Sequence, residues 1–176
     1  MTRKSPEFDA VVIGAGFAGL GMLWRLREQL GMSVQVYETG TEVGGTWYWN
    51  RYPGARCDSV SYIYCFSFSE ELLQDWSWSG KYPEQPEVLS YLNHVADRFD
   101  LRRNIQFNTR VSSARFSEEN EWWEIETNQG DHVTAQFLIT GIGCISAGNV
   151  PNIKGLDSFK GEQYHTGNWP HEPVDF

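Results

Sequence analysis

The first forty residues show two kinds of apolar pattern. Residues 8–13, FDAVVI, are rich in β-branched side chains and end at a glycine, which predicts a buried strand. Residues 17–30 change to helical spacing, and Gly31 is predicted to end that helix. SVQVYE at 33–38 predicts a second strand, so the three elements form a β-α-β unit within about thirty residues. The apolar face predicted for the helix consists of Leu20, Leu23, Trp24, Leu26 and Leu30.

The rest of the chain combines an aromatic stretch, one helix and several strands. Residues 39–83 are dense in Tyr, Trp, Gly and Ser without clear periodicity, which indicates long ordered loops with short helical turns. Residues 85–99 return to helical spacing, with Val88, Leu92, Val95 and Phe99 as the apolar stripe. Three alternating runs then predict an antiparallel meander, and LITGIG ends it as a strand running into a glycine turn. The runs are 105–117, 121–128 and 132–140.

Composition limits the function classes. A chain of 176 residues with 40% apolar and 21% charged residues can form one core, but is too short for two full domains. Its net charge of −9 disfavours a nucleic-acid partner, because a phosphate backbone requires a basic surface. Three widely spaced cysteines predict neither a disulfide framework nor a metal site, and a reducing cytoplasm fits them best. The apolar run at 10–24 is shorter than the roughly 20 residues of a membrane span, so we expect none.

The turn between the first predicted strand and helix carries the spacing G-x-G-x-x-G. Gly14 permits the tight turn, Gly16 lets the backbone approach a pyrophosphate, and Gly19 lets the helix pack close to the strand. The helix N-terminus adds unpaired N–H groups for the phosphates. The motif alone is weak, because such glycines can be purely structural. The strand before it, the helix after it and Glu38 at the end of the second strand, where a ribose hydroxyl would bind, favour a dinucleotide site.

The order of elements favours FAD as that dinucleotide. A simple NAD dehydrogenase normally continues with further β-α units on a parallel sheet, whereas this chain continues with aromatic loops, one helix and a meander. This order resembles the FAD domain of two-dinucleotide-domain flavoproteins. We therefore expect an α/β fold, namely a Rossmann-like FAD-binding domain with a parallel sheet, a β-α-β dinucleotide unit and an antiparallel β-meander.

The residues of two further stretches do not by themselves decide between a structural role and a role at a cofactor. GGTWYWNRYPGARCD at 44–58 could be an aromatic loop that fills a core. It could equally let backbone approach an isoalloxazine ring, with Asp58 delivered nearby. FKGEQYHTGNWP at 159–170 combines a glycine turn, aromatic residues and a histidine, and such a histidine is usually a surface or hydrogen-bonded residue rather than a catalyst.

Both stretches fit known fingerprints. The first matches G-G-x-W-x-x-x-x-Y-P-G-x-x-x-D at every fixed position, and the second matches F-x-G-x-x-x-H-x-x-x-W-P. The chain therefore resembles the type I Baeyer–Villiger flavin monooxygenases, most closely the phenylacetone, cyclohexanone and steroid monooxygenase group. The related flavin-containing monooxygenases share the F-x-G-x-x-x-H core but usually lack the tryptophan found here at Trp169.

The resemblance implies an enzyme that uses FAD and NADPH to insert one oxygen atom of O2 next to a ketone carbonyl, giving an ester or lactone. It implies an FAD-binding domain at 1–150 and a linker at 151–176, leading to an NADPH domain that we expect to be the chain's partner. The alternative is a stand-alone or inactive FAD-binding module without monooxygenase activity. Because fingerprints for NADPH-linked chemistry would have no use in such a module, we favour the enzyme.

The resemblance also implies roles for individual residues. Asp58 would pair with an arginine beside the flavin, which is not in this chain, and it is one of two expected catalytic residues. The other is His165, which together with Trp169 is expected to couple two domains rather than to act as an acid or base. No metal ligands are implied. The implied cofactor-binding residues are Gly14, Gly16, Phe17, Ala18, Gly19, Glu38, Gly45, Thr46, Trp47, Tyr48, Trp49, Arg56, Cys57, Asp58, Tyr64, Val111 and Trp169.

Overall fold

One six-stranded sheet organises the chain in the computed structural model, which describes residues 5–175. Its strand order is β3-β2-β1-β6-β5-β4. The first four strands in this order run parallel, and β6, β5 and β4 form an antiparallel meander. The strands are β1 Phe8–Ile13, β2 Val34–Tyr37, β3 Ile105–Gln106, β4 Val111–Ser117, β5 Trp122–Thr127 and β6 His132–Thr140.

Four α-helices within residues 5–175 accompany the sheet: α1 Phe17–Trp24, α2 Thr46–Trp49, α3 Glu70–Asp75 and α4 Gln85–Arg98. Side chains alternate along β1, so that Ala10 and Val12 join the larger core cluster while Val11 joins a smaller one on the other face. The larger cluster includes the buried faces of α1 and α4. The predicted mixed α/β architecture is confirmed. Within residues 5–175, no helix is long and apolar enough to cross a membrane.

The first helix departs from the prediction at its C-terminal end. After α1 the backbone continues as a π-helical segment, Arg25–Gln29, which has more residues per turn than an α-helix. This change rotates Leu30 away from the face that holds Leu20 and Leu23, so Leu30 is 67% exposed. Its assignment to the apolar face was wrong. Gly31 does end the helix, with a φ of 64° that suits glycine.

The predicted strand at 105–117 is two strands with different partners. Ile105–Gln106 pairs parallel with β2, and only Val111–Ser117 joins the meander. Asn108 interrupts the run with a φ of 54°, and its N–H donates to the carbonyl of Gly40. The segment between the two strands is therefore held against the end of β2, and the prediction of a single meander strand was wrong.

Candidate functional site

A cleft of about 820 Å³ opens where β1, β2 and β6 end. This volume lies within the roughly 300–1,000 Å³ of ordinary ligand sites. Of the residues predicted from the sequence, eleven line it: Gly14, Gly16, Phe17, Ala18, Glu38, Gly45, Thr46, Trp47, Trp49, Tyr64 and Val111.

Seven predicted residues are not part of the cleft lining: Gly19, Tyr48, Arg56, Cys57, Asp58, His165 and Trp169. The sequence prediction in turn omitted polar lining residues that precede or follow a strand, among them Thr39, Thr109 and Arg110. It also omitted the loop after β6, although LITGIG had indicated a glycine turn there. The loop residues that line the cleft are Gly141, Ile142, Gly143, Ile145, Ser146, Ala147 and Gly148.

The glycine loop between β1 and α1 is held by a hydrogen bond to β2 and by close packing of α1 on it. The N–H of Gly14 donates to the carbonyl of Tyr37 over 2.8 Å, which fixes the loop to β2. A Cβ added to Gly19 would lie 1.8 Å from the carbonyl oxygen of Gly14, so α1 packs on the turn without room for a side chain. Gly19 thus serves the packing of helix on strand.

A second glycine loop lies against the first. Gly45 and Gly16 approach so closely that a Cβ added to Gly16 would lie 3.3 Å from the Cα of Gly45. The N–H of Gly44 also donates to the carbonyl of Ala15 over 3.0 Å. The two sequence motifs, about thirty residues apart, therefore form one continuous wall of backbone, and a side chain at Gly16 would make a tight contact with Gly45.

The N-terminus of α1 faces this wall with its amides available. Gly16 is the N-cap residue, and no side chain of the described residues caps the helix. The first turn of a helix has N–H groups without intrahelical partners, and the helix dipole makes this end electropositive. Phe17 and Ala18, the first two helical residues, both line the cleft. This end of the cleft can bind a pyrophosphate.

Glu38 occupies the end of β2 and is 4% exposed. Its Oε2 accepts from the N–H of Ala15 over 2.7 Å, and its Oε1 accepts from the N–H of Gly40 over 2.7 Å and from the hydroxyl of Thr39 over 3.2 Å. A carboxylate has about four acceptor positions, so one remains on Oε2. A ribose hydroxyl can donate to it.

The opposite side of the cleft is aromatic. The indole N–H of Trp47 donates to the hydroxyl of Tyr64 over 3.0 Å, and their rings meet edge to face with centroids 5.8 Å apart. Burial raises the pKa of Tyr64, although the bond from Trp47 opposes this. Tyr64 therefore keeps its proton at neutral pH, and its O–H has no acceptor among residues 5–175. It can donate one hydrogen bond into the cleft.

Arg56, Cys57 and Asp58 lie in different environments. Cys57 is buried, and burial raises the pKa of its thiol, which makes it a poor nucleophile. Arg56 forms an exposed ion pair with Glu84. Asp58 is exposed and has no ion pair with another described residue. None of the three lines the cleft, and their predicted roles at the cofactor stay predictions.

His165 lies behind the cleft, between two segments that line it. Its Nδ1 accepts from the N–H of Gly167 over 3.1 Å, and its Nε2 lies 3.2 Å from the carbonyl oxygen of Asn149. Because a backbone N–H can only donate, Nδ1 must be unprotonated, and Nε2 therefore carries the proton that is donated to Asn149. The ring lies beside Gly148, where an added Cβ would be 3.4 Å from Cε1 of His165. In this arrangement His165 fastens the tail to the loop after β6.

Trp169 lines a second, smaller pocket of about 370 Å³ beside the cleft. Arg51 lines the same pocket and lies over the ring of Tyr48, 5.0 Å from its centroid. The ring of His171 meets the ring of Tyr48 edge to face, with centroids 5.8 Å apart. The tail at 165–175 thus packs against the stretch at 44–58, which brings the two fingerprint segments together.

The cleft fits FAD by its donor groups and shape. Free helix amides face the position of a pyrophosphate, Glu38 offers an acceptor for a ribose, and a flat aromatic side with one O–H donor suits a ring system. Among residues 5–175, no group of His, Cys, Asp and Glu could hold a metal ion.

Comparison with known proteins agrees with this geometry. The family model of the pyridine nucleotide-disulphide oxidoreductases matches residues 11–174. A Baeyer–Villiger monooxygenase of Pseudooceanicola batsensis is 52% identical over 169 residues, which cover 96% of this chain and 31% of that protein.

Solved structures give the same result. The oxidized steroid monooxygenase bound to NADP is 55% identical, with a TM-score of 0.89, and the match covers 96% of this chain and 32% of that one. The OTEMO complex with FAD and NADP is 48% identical, with a TM-score of 0.87, and the match covers 95% and 31%. This chain spans about a third of the length of these relatives. The resemblance to the Baeyer–Villiger monooxygenases is confirmed, and the chain belongs to the pyridine nucleotide-disulphide oxidoreductase family.

Proposed function

We propose that this chain forms the FAD site of a Baeyer–Villiger monooxygenase that uses NADPH and O2 to convert a ketone into an ester or lactone. The observation that carries the proposal is the junction of the two glycine loops, Gly14 to Gly19 and Gly44–Gly45, beside the buried carboxylate of Glu38. FAD, when bound, supplies the redox chemistry that links NADPH to O2.

The chain's own residues bind and orient the cofactor and exclude water from it. The amides at the start of α1 hold the pyrophosphate, Glu38 accepts from the ribose, and Tyr64 donates one hydrogen bond on the aromatic side. Trp47 fixes the orientation of the Tyr64 hydroxyl by its own hydrogen bond. In these roles the hydroxyl of Tyr64 stays protonated, because burial raises its pKa.

Residues 1–150 are proposed as the FAD-binding part and 151–176 as a linker to an NADPH domain. Asp58 is exposed and without an ion pair among the described residues, so it is available to a cation of that domain. His165 holds the linker to the loop after β6, which lines the cleft. It is a positioning residue in this proposal. The unpaired cysteines fit a cytoplasmic protein.

Titration of the purified chain with FAD tests the first step. We expect a yellow complex with one FAD per chain, in which flavin fluorescence changes on binding. The same chain joined to its NADPH-binding partner is then assayed with NADPH, O2 and a cyclic or aryl ketone, and lactone or ester is expected by mass spectrometry. A chain that stays colourless contradicts the whole proposal, whereas bound FAD without any oxygenated product contradicts the Baeyer–Villiger activity alone.

A further inference from the structure

Arg110 is the one cationic residue among the described residues that line the cleft. The other charged lining residue is Glu38, whose carboxylate is surrounded by backbone donors. Arg110 is exposed, and its guanidinium forms no hydrogen bond or ion pair with any residue of 5–175. In a chain with a net charge of −9, an arginine without an acidic partner at the edge of a ligand cleft is a candidate for ligand contact.

The backbone of Arg110 is held in place from both sides. Its N–H donates to Oδ1 of Asn128 over 2.7 Å, and its carbonyl accepts from the N–H of Asn128 over 2.9 Å. The preceding residue, Thr109, is 2% exposed and donates its N–H to the carbonyl of Glu38 over 2.8 Å. Arg110 is therefore fixed next to Glu38, on the side away from the glycine loop.

The chemistry of a dinucleotide determines what must lie at this position. The ribose is joined to the pyrophosphate at one carbon and to the adenine at another, and its hydroxyls lie between. If α1 holds the pyrophosphate and Glu38 holds the hydroxyls, the adenine lies beyond Glu38, where residues 109–111 form the wall. A guanidinium is planar and stacks well on aromatic faces.

We propose that Arg110 binds the adenine of FAD by placing its guanidinium against the ring, and that it thereby makes the cleft selective for adenine dinucleotides over mononucleotide flavins. This inference rests on the proposed FAD site and adds a specificity-determining residue to it. Val111, the neighbouring residue, lines the same wall.

The test compares affinities of the purified chain for FAD, ADP and FMN, measured by fluorescence titration or calorimetry. FMN carries the flavin without the adenine, and ADP carries the adenine without the flavin. Arg110→Ala is expected to weaken FAD and ADP binding by the same factor, about threefold to thirtyfold, and to leave FMN binding unchanged. Arg110→Lys is expected to behave like Arg110→Ala, because a lysine keeps the charge but not the plane.

Arg115→Ala is the matched control. It removes the same charge from the same segment, but Arg115 pairs with Glu124 over 2.5 Å and is not part of the cleft lining. We expect no change in any of the three affinities. Unchanged FAD binding in Arg110→Ala would overturn the inference, as would equal losses for FMN and FAD. Full recovery in Arg110→Lys would assign the effect to charge and overturn the stacking contact. Failure of the unaltered chain to bind FAD would instead overturn the proposed function itself.

Discussion

Gly45 lies against Gly16 with no space for a methyl group between them: a Cβ on Gly45 would lie 2.8 Å from the Cα of Gly16. Gly45 also has a φ of 51°, in the region that disfavours other residues. This contact joins the dinucleotide motif to the aromatic fingerprint, so the two motifs form one structural unit.

Gly45→Ala is therefore expected to separate the two loops. Positive φ costs roughly 1–2 kcal/mol for alanine, and the clash adds roughly 1–3 kcal/mol. We expect a loss of at least about 2 kcal/mol in the free energy of unfolding and strongly weakened FAD binding. Gly54→Ala is the control, because its φ of 80° also disfavours alanine, while no atom of residues 5–175 lies within 4 Å of the added Cβ. Equal effects of the two substitutions, by urea denaturation, would contradict the close-contact argument.

Glu38→Gln tests the buried carboxylate. The amide places an NH2 group where backbone N–H groups already donate, so at least one donor loses its acceptor. The free energy of unfolding should fall by about 1–3 kcal/mol, and the affinity for FAD should fall as well. Glu42→Gln provides the comparison, since Glu42 forms an ion pair with Arg102 near the surface and should cost at most about 1 kcal/mol. A stable Glu38→Gln chain with native FAD affinity would refute the assigned role.

His165→Ala should release the tail from the cleft loop. The N–H of Gly167 loses its acceptor, and its hydrogen exchange is expected to become faster by NMR. FAD affinity should change by no more than about threefold, since losing a hydrogen bond behind the site costs little there. In the complete enzyme, NADPH-dependent reduction should suffer more than FAD retention.

His165→Asn separates the two contacts of the ring. Asparagine is a good N-cap residue and can still accept from the N–H of Gly167, but it is too short to replace the bond to Asn149. Protection of the Gly167 amide should return while the tail remains loosened. Loss of FAD from either variant would show that His165 supports the cofactor site directly.

Stability should fall at alkaline pH because buried tyrosines resist ionisation. Burial raises the pKa of Tyr37 to about 12, with smaller contributions from Asp131 and Glu7, and burial raises the pKa of Tyr91 to about 12. The unfolded chain loses these protons near pH 10, and the folded chain loses them near pH 12. Their contribution to the free energy of unfolding is thus fully present below pH 10. It is lost between pH 10 and 12, by roughly 2–3 kcal/mol for each tyrosine.

Tyr37→Phe should reduce this alkaline loss in urea titrations at pH 8 to 11.5. Tyr62→Phe serves as the reference, because Tyr62 is 74% exposed and should leave the pH profile unchanged. Tyr91 is less suitable, since its hydroxyl accepts from the N–H of Phe66 over 2.7 Å and its removal leaves that donor unpaired. Identical profiles for native and Tyr37→Phe chains would contradict the raised pKa of Tyr37.

Sequence patterns predicted the elements that have a strong local signal. β1, the glycine turn and α4 follow directly from periodicity and from the position of glycines. Leu30 could not be placed, because the π-helical turn at Arg25–Gln29 changes the angle between successive residues without any mark in the composition. β3 was assigned to the wrong partner because two residues carry too little pattern to distinguish a parallel from an antiparallel neighbour.

The candidate site shows the same limit. The glycines and Glu38 were predicted because their spacing has a chemical meaning, whereas Arg110 was not, because its position at the cleft depends on the path of the chain between β3 and β4. The bonds of His165 to Gly167 and Asn149 also depend on three-dimensional placement. Contacts between distant segments decide these positions, and a single sequence does not record them.

The position of β1 in the sheet has a consequence for synthesis of the protein. Phe8 pairs with Ala135 and Val12 with Ile139. One edge of the apolar strand β1 therefore stays unpaired until β6 has been translated, about 127 residues later. At about 5–20 residues per second, the delay is roughly 6 to 25 seconds. During that time an unpaired hydrophobic edge is open to other chains. Slower translation should therefore increase aggregation of the nascent chain, and chaperones that bind extended segments should relieve it.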